Sequence, residues 1–283
     1  MKIGISGASG HLGQKVLSFL AAHGAGHSVI GISRTPATLA DPAEGREGDY
    51  DHPESLVRAY QGLDRLLIIP SADLRPGVRG RQLKAAIDAA RQAGVEHVVL
   101  VSAAGTKEAE EPSIGAPYWD GEQHLIRTAP RWTILRMNYY AESMADEIKS
   151  SLGAGVLAGL GPERVAYVSR DDVAAAAAGI LAGEGHAGAI YNATGAAVVT
   201  GEERAAIVSE LTGAPVGFAV LTQEQLAGGL AQAGLPEPVV SVVLDIKRNF
   251  VAGAFDIVTN DVERLAGRPA TPLRDVLAAV LKA

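Results

Sequence analysis

Near the start of the chain, Gly7-Ala8-Ser9-Gly10-His11-Leu12-Gly13 combines three glycines at three-residue spacing with a hydroxyl and an imidazole. Such a run means something chemically only when it directly follows a strand and opens a helix. There the glycines permit a tight turn and let the backbone approach an anion, whose charge is met by the free N–H groups of the helix N-terminus. The context is present, because Lys2 to Ser6 is an apolar β-rich run and Gln14 to His23 carries a helical pattern. The anion that suits this turn is the pyrophosphate of a dinucleotide, contacted by Gly7, Ser9, Gly10, His11, Leu12 and Gly13. The spacing is Gly-x-x-Gly-x-x-Gly, a variant of the commoner Gly-x-Gly-x-x-Gly, and the competing reading is a purely structural glycine turn.

Arg34 stands just past the second strand, where NAD-preferring enzymes tend to carry an acidic residue for the ribose hydroxyls. A planar guanidinium there can bind a 2′-phosphate bidentately and stack on adenine, which favours NADPH (and NADP+) over NADH; the alternative is a solvated surface arginine. Asp49 and Tyr50 stand where they could touch adenine or simply build a loop turn. Pro70-Ser71 and Ser102-Ala103 end two further strands at the carboxyl edge of the sheet, where doubly wound folds bind ligands. The Ser102 hydroxyl could hold a substrate oxygen or the nicotinamide, or bond its own loop.

Other chemistries are missing. With no cysteine, thiolate catalysis, disulfides and cysteine-ligated metals are excluded, and a reducing, cytoplasmic setting is expected. His23 and His27 flank a Gly-Ala-Gly turn and not a helix face, so we expect no metal site. A net charge of −7 opposes generic nucleic-acid binding. The best basic stripe, Arg75, Arg79, Arg81 and Lys84, reads as the solvated face of a helix whose buried stripe is Leu83, Ala86, Ile87 and Ala90. No apolar run is long enough to span a membrane, and the glycine turn at Gly7 comes too early for a signal peptide.

The elements that must position these residues are readable from patterning. At 283 residues the chain has room for one large domain or two unequal ones. Strands are expected at Lys2 to Ser6, Ser28 to Ser33, Arg65 to Ile69, Val95 to Ser102 and Trp132 to Met137, with a weaker one ending near Gly48-Asp49. They alternate with helices at Gln14 to His23, Pro53 to Gln61, Gly77 to Ala93 and Pro117 to Thr128. That is the pattern of an α/β, Rossmann-like, doubly wound parallel sheet, here residues 1–150. Residues 151–283 read as a smaller C-terminal α+β lobe, partly interleaved with the first domain and lying over the sheet's carboxyl edge. It should hold a hairpin from Gly155 to Val168, an Ala-rich core helix over Val173 to Leu181, strands at Ala189 to Ala193 and near Pro215 to Leu221, and helices at Glu202 to Leu211, Gln223 to Gly234, Pro238 to Ala252 and Leu273 to Leu281.

Three further stretches narrow the reading: Val29-Ile30-Gly31-Ile32-Ser33-Arg34; Thr133-Ile134-Leu135-Arg136 followed by Asn138-Tyr139-Tyr140; and Thr259-Asn260-Asp261-Val262-Glu263 with Gly267-Arg268-Pro269. With the glycine turn they make the chain, over nearly its whole length, resemble the NmrA-like family of atypical short-chain dehydrogenase/reductases, in particular its bacterial type 2 NADPH:quinone oxidoreductase branch. The resemblance implies a dinucleotide-binding domain, a small C-terminal lobe, and either quinone reduction or redox sensing through a protein partner. It places Ser102 at the family's catalytic serine, with Asn138, Tyr139 and Tyr140 lining the acceptor pocket or, for the tyrosines, half-buried in packing. Catalytic roles then fall to Ser102, Asn138 and Tyr140, and cofactor contacts extend to Pro70, Ser71, Gln123 and Tyr139.

The chain departs from the pattern at one position. Tyr118 is followed four residues later by Glu122 and not by the lysine of Tyr-x-x-x-Lys, no lysine occurs between Lys107 and Lys149, and Gln123 stands where the quinone-reductase branch carries one. Ketone reduction generates an alkoxide and demands an acid in the transition state, whereas a reduced quinone is a much less basic, phenolate-like anion that water can protonate. The expected activity is therefore hydride transfer from NADPH to a small quinone or similar conjugated acceptor. A non-catalytic sensor and an imine or enone reductase are the alternatives. The oligomeric state is left open, a homodimer included.

Overall fold

The computed structural model describes residues 1–22, 26–39, 44–111 and 113–281; His23, and with it the expected end of the first helix and the His23/His27 pair, lies outside the described residues. In chain order the elements are β1 (Lys2–Ser6), α1 (His11–Ala22), β2 (Ser28–Ser33), β3 (Glu44–Glu47), α2 (Pro53–Tyr60), β4 (Arg65–Ile68), α3 (Val78–Gln92), β5 (His97–Ala103), α4 (Ala116–Thr128), β6 (Arg131–Met137), α5 (Ala141–Ser151), β7 (Val156–Gly159), β8 (Arg164–Val165), α6 (Arg170–Ala182), β9 (Ala189–Ala193), β10 (Val199–Thr200), α7 (Gly201–Thr212), β11 (Gly217–Val220), α8 (Gln223–Gln232), α9 (Glu237–Val251), α10 (Asp261–Ala266) and α11 (Leu273–Leu281).

They fall into two units. The first comprises Met1–Arg136, Arg170–Ala193 and Asp261–Arg268, and the second Met137–Ser169, Thr194–Asn260 and Pro269–Ala283. The boundary expected at residue 150 thus falls inside α5, and the chain passes between the units several times.

In the first unit seven strands form one sheet in the order β3-β2-β1-β4-β5-β6-β9. The pairs from β3 through β5 are parallel, with Ile5 of β1 opposite Gly31 of β2 and Leu67 of β4. Ile3, Ile5, Ile30, Ile32, Leu66, Leu67 and Val99 are fully buried, as expected of β-branched and aliphatic runs in a sheet covered on both faces. The strand order reverses between β1 and β4, so their carboxyl ends open a crevice at a topological switch point.

The Ala-rich stretch is the core helix α6, where Ala174, Ala176, Ala177 and Ala178 are fully buried. Small side chains are required there: a Cβ built on Gly179 would lie 2.0 Å from the Leu265 carbonyl oxygen of α10. Arg268, in the Gly-Arg-Pro element after α10, forms an ion pair with the buried Asp172 in the first turn of α6.

Two expectations are corrected. The hairpin from Gly155 to Val168 does not form; β7 pairs in parallel with β11 and β8 antiparallel with β10, so each strand takes a partner remote in sequence. The basic stripe of α3 is not wholly solvated, since Arg79 is only 8% exposed while Arg75 lies in solvent. Arg79, Leu83, Ala86 and Ala90 share one helix face at i, i+4, i+7 and i+11, which places Arg79 one turn earlier on the buried stripe. Helices α5 and α10, absent from the expected set, are short elements whose buried faces hold Met144, Ala145 and Ile148, and Val262.

In the second unit Tyr139, Tyr167, Phe250 and Phe255 form an edge-to-face cluster with centroids 5.0–6.3 Å apart. Next to it lies a buried charge network. Arg204 donates to Glu163 Oε2 at 2.9 Å and to the Tyr167 hydroxyl at 2.5 Å, and Lys247 donates to Glu147 at 2.6 Å.

Candidate dinucleotide site

Gly7 leaves β1 with φ +89°, a backbone conformation that favours glycine. Its N–H and that of Ala8 donate to the Ile32 carbonyl of β2 at 3.0 and 3.1 Å, which folds the turn back over the sheet. At Gly13 a Cβ would sit 2.4 Å from the Gly7 carbonyl oxygen and 2.7 Å from Ala8 Cα, so this glycine serves the close packing of α1 on the turn. Gly10 differs. A Cβ there meets only the Gly7 carbonyl oxygen at 3.4 Å, and Ser9, Gly10 and His11 are exposed. The protein's own packing therefore does not require glycine at position 10. An anion seated on the first N–H groups of the twelve-residue α1 would need the space that a side chain there would take. The cradle fits a dinucleotide pyrophosphate on this ground.

The exits of β2 and β4 flank the turn. Arg34 is exposed immediately after β2, and among the described residues its guanidinium makes no hydrogen bond or ion pair, which leaves it available to an incoming phosphate. Tyr50 donates its hydroxyl to the Ile69 carbonyl at 2.8 Å, pinning the loop after β3 to the end of β4. Burial raises the Tyr50 phenol well above its usual range, so it stays a neutral donor. Asp49 accepts from Asp51 N at 3.0 Å; both residues build the loop. Pro70 and Ser71 are half-buried, and the Ser71 hydroxyl donates to Gln82, whose amide donates to Asp51 at 3.0 Å.

Ser102 ends β5 fully buried and donates to Glu122 Oε1 at 2.5 Å. Glu122, 1% exposed, also takes a bidentate pair from Arg136 of β6 at 2.9 and 2.6 Å. The hydroxyl of Ser102 is thus engaged in tying β5, α4 and β6 together. Gln123, one residue on, is half-buried. Neither Glu122 nor Arg136 was a candidate from sequence, although a carboxylate four residues after a tyrosine in an otherwise apolar helix face is a signal that a buried cation awaits it.

Asn138, Tyr139 and Tyr140 belong to the second unit. Asn138 is 2% exposed; its amide donates to the Phe255 carbonyl at 3.1 Å and its Oδ1 accepts from Tyr139 N at 2.7 Å. Its expected role in lining a pocket is replaced by one in backbone support, because both ends of the side chain are consumed by main-chain groups. Tyr139 and Tyr140 are half-buried, Tyr139 within the aromatic cluster. Among the described residues no group of three metal-binding side chains occurs, and no helix is long and apolar enough to cross a membrane.

A parallel sheet of order 3-2-1-4-5-6, whose first strand runs into a glycine cradle at the switch point, defines the dinucleotide-binding class of redox folds. Comparison with known proteins narrows the class. Residues 7–184 match the family described as NAD(P)H-binding. The chain is 29% identical to quinone oxidoreductase 2 of Escherichia coli (strain K12) over 96% of both chains. It is 31% identical to the (4-alkanoyl-5-oxo-2,5-dihydrofuran-3-yl)methyl phosphate reductase of Streptomyces griseus, over 96% of this chain and 95% of the relative. The crystal structure of an NADPH-dependent quinone oxidoreductase from Escherichia coli, complexed with NADPH, matches with a TM-score of 0.92 at 28% identity, covering 99% of each chain. The chain belongs to the NAD(P)H-binding family, and it is an NAD(P)H-dependent oxidoreductase.

Proposed function

We propose that the protein transfers hydride from NADPH to a small quinone or similar conjugated acceptor, without a Tyr-x-x-x-Lys proton relay. The observation that carries this reading is the full-length likeness, in sequence and fold, to an NADPH-dependent quinone oxidoreductase, joined to a glycine cradle whose exposed Gly10 is not required by packing. When bound, the reduced nicotinamide supplies the hydride. The chain's own residues supply placement. Gly7, Ser9, Gly10, His11, Leu12 and Gly13 hold the pyrophosphate on the N-terminus of α1, Arg34 meets the 2′-phosphate, and Pro70, Ser71 and Gln123 border the cofactor. Ser102 acts through Glu122 as a positioning residue for β5 and α4.

An α,β-unsaturated carbonyl is the second acceptor class, supported by the relative whose name specifies an oxo-dihydrofuran. Both classes are tested in one assay: NADPH consumption across a panel of quinones, enones and imines, with stereospecific deuterium transfer from labelled cofactor. Turnover with quinones supports the reading. Cofactor binding with no consumption above background for any acceptor overturns it in favour of a redox sensor.

A further inference from the structure

We propose that Gln82 is a positioning residue for the dinucleotide: it closes a hydrogen-bonded strap that sets the width of the crevice before a cofactor enters. The inference rests on the dinucleotide reading of the cradle and deepens it, assigning part of the affinity to side chains outside the glycine turn. In the order β3-β2-β1-β4, the ends of β2 and β1 lie between those of β3 and β4. Three strand spacings, about 14 Å in all, therefore separate β3 from β4. The loops that leave these two strands nevertheless meet.

Tyr50, from the loop after β3, donates its hydroxyl to the carbonyl of Ile69, the residue that follows β4. This contact stands against the glycine turn, because a Cβ built on Gly7 would lie 3.2 Å from the Ile69 carbonyl oxygen and 3.7 Å from the Tyr50 hydroxyl. One bond alone would let the loops pivot about it. Gln82, in the second turn of α3 and only 6% exposed, supplies the other two. Its Oε1 accepts from the Ser71 hydroxyl of the β4 loop, and its Nε2 donates to Asp51 Oδ1 of the β3 loop at 3.0 Å. The carboxylate of Asp51 can only accept, which turns the amide nitrogen towards it and the amide oxygen towards Ser71.

Each loop is braced again from behind. Asp49 N donates to Ser55 Oγ of α2 at 2.9 Å, and Arg79, three residues before Gln82 on α3, donates Nε to the Ser71 carbonyl at 2.9 Å. The Arg79 Nη1 donates in turn to the Tyr118 hydroxyl of α4 at 3.4 Å. Loops held in this way are already ordered when a ligand arrives, so binding does not bear the cost of ordering them. The strap is remote from the residue that meets the 2′-phosphate, Arg34, and acts on the crevice as a whole. Its contribution is therefore the same for NADPH and NADH.

The test reverses the polarity of one bond. Gln82→Glu keeps the shape of the side chain and the bond from Ser71 but sets a carboxylate against that of Asp51. By isothermal titration it should weaken NADPH and NADH by the same factor, about tenfold. Adding Asp51→Asn to Gln82→Glu restores the bond with donor and acceptor exchanged, and both affinities should return to within about threefold of wild type. If Gln82→Glu does not fold, Asp51→Ala removes the same bond from an exposed position and should weaken both cofactors about fivefold at a native cofactor-free Tm. A change of less than about twofold in Gln82→Glu, or in Asp51→Ala where that variant replaces it, overturns the proposal. So does a loss confined to NADPH, or a loss in Gln82→Glu that the double variant does not recover, which would assign Asp51 a direct contact with the cofactor. Wild type that binds neither dinucleotide overturns the cradle reading and the strap together, whereas wild type that binds both leaves the cradle standing whatever the variants do.

Discussion

At the residue scale the two inner glycines of the cradle make opposite predictions. Gly13 is demanded by the fold, because a Cβ there would run into the backbone of Gly7 and Ala8. Gly13→Ala should therefore lower Tm in a cofactor-free thermal melt. Gly10 is not demanded by packing, and under the proposed function it is demanded by the ligand, so Gly10→Val should keep a near-native melt and lose NADPH and NADH binding together; a large drop in Tm for Gly10→Val would show that packing and not the pyrophosphate selects glycine. Under the proposed function Arg34 carries the choice between cofactors. Arg34→Ala should weaken NADPH by about 1.5 to 3 kcal/mol, the range for hydrogen bonds to charged groups, and leave NADH nearly unchanged by isothermal titration. Equal losses for both would remove the 2′-phosphate assignment. The glycines were readable because their need is local, whereas the Tyr118–Arg79 contact joins residues 39 apart in sequence and exists only once α3 packs on α4.

At the element scale, the opposite edge of the same sheet contains a histidine that responds to pH. The Thr133 hydroxyl donates to the His186 carbonyl at 2.7 Å, so its oxygen accepts from His97 Nε2 at 2.8 Å, and that nitrogen carries a hydrogen. Burial, aided by the nearby Arg65 guanidinium, lowers the His97 pKa from its ordinary 6.5 to about 4. Because the folded-state value is depressed, the unfolded chain takes up a proton first as pH falls. The stability contributed by neutral His97 is thus complete above pH 6.5 and is lost between there and about 4. Thermal melts of the wild type should decline across that window. His97→Gln, which keeps a donor to Thr133 without titrating, should flatten the decline; an unchanged slope would assign it to other groups. Arg65 completes this region by donating to the Leu181 carbonyl at 2.8 Å, at the negative end of the α6 dipole.

At the scale of the whole molecule, the second unit contains buried charges that its fold brings together in pairs. Arg204 and Glu163 are both fully buried, and Glu163→Ala would leave the guanidinium without its carboxylate in an apolar setting. The expected loss is about 3 to 5 kcal/mol, measurable by denaturant unfolding. Asn138→Trp belongs to the same class: with the native side chain 2% exposed and bonded at both ends, the indole should destabilise the protein rather than obstruct turnover selectively. A folded Asn138→Trp protein with native Tm and no quinone reduction would return Asn138 to the acceptor site. Cofactor binding acts in the other direction. NADPH at a hundred times its Kd should stabilise the native state by about 2.7 kcal/mol, seen as an upward shift in Tm that Gly10→Val abolishes.

What the sequence determined by itself is the local and the repetitive. The β1 and β2 bounds, Ala189–Ala193, the Ala-rich core helix, the doubly wound class and the glycine cradle were all legible, because each depends on a run of neighbours or on a period of two or 3.6 residues. Tertiary structure alone decided the rest. The pairing of β7 with β11 and of β8 with β10 joins segments distant in sequence, and the division into units follows β9 returning to the sheet edge beside β6. The fate of polar side chains was decided there too. Ser102, Asn138 and Arg79 have the composition of site or surface residues, yet a buried hydrogen-bonding group must find its partner wherever the chain brings one, and Glu122, the Phe255 carbonyl and Tyr118 arrive from 20, 117 and 39 residues away.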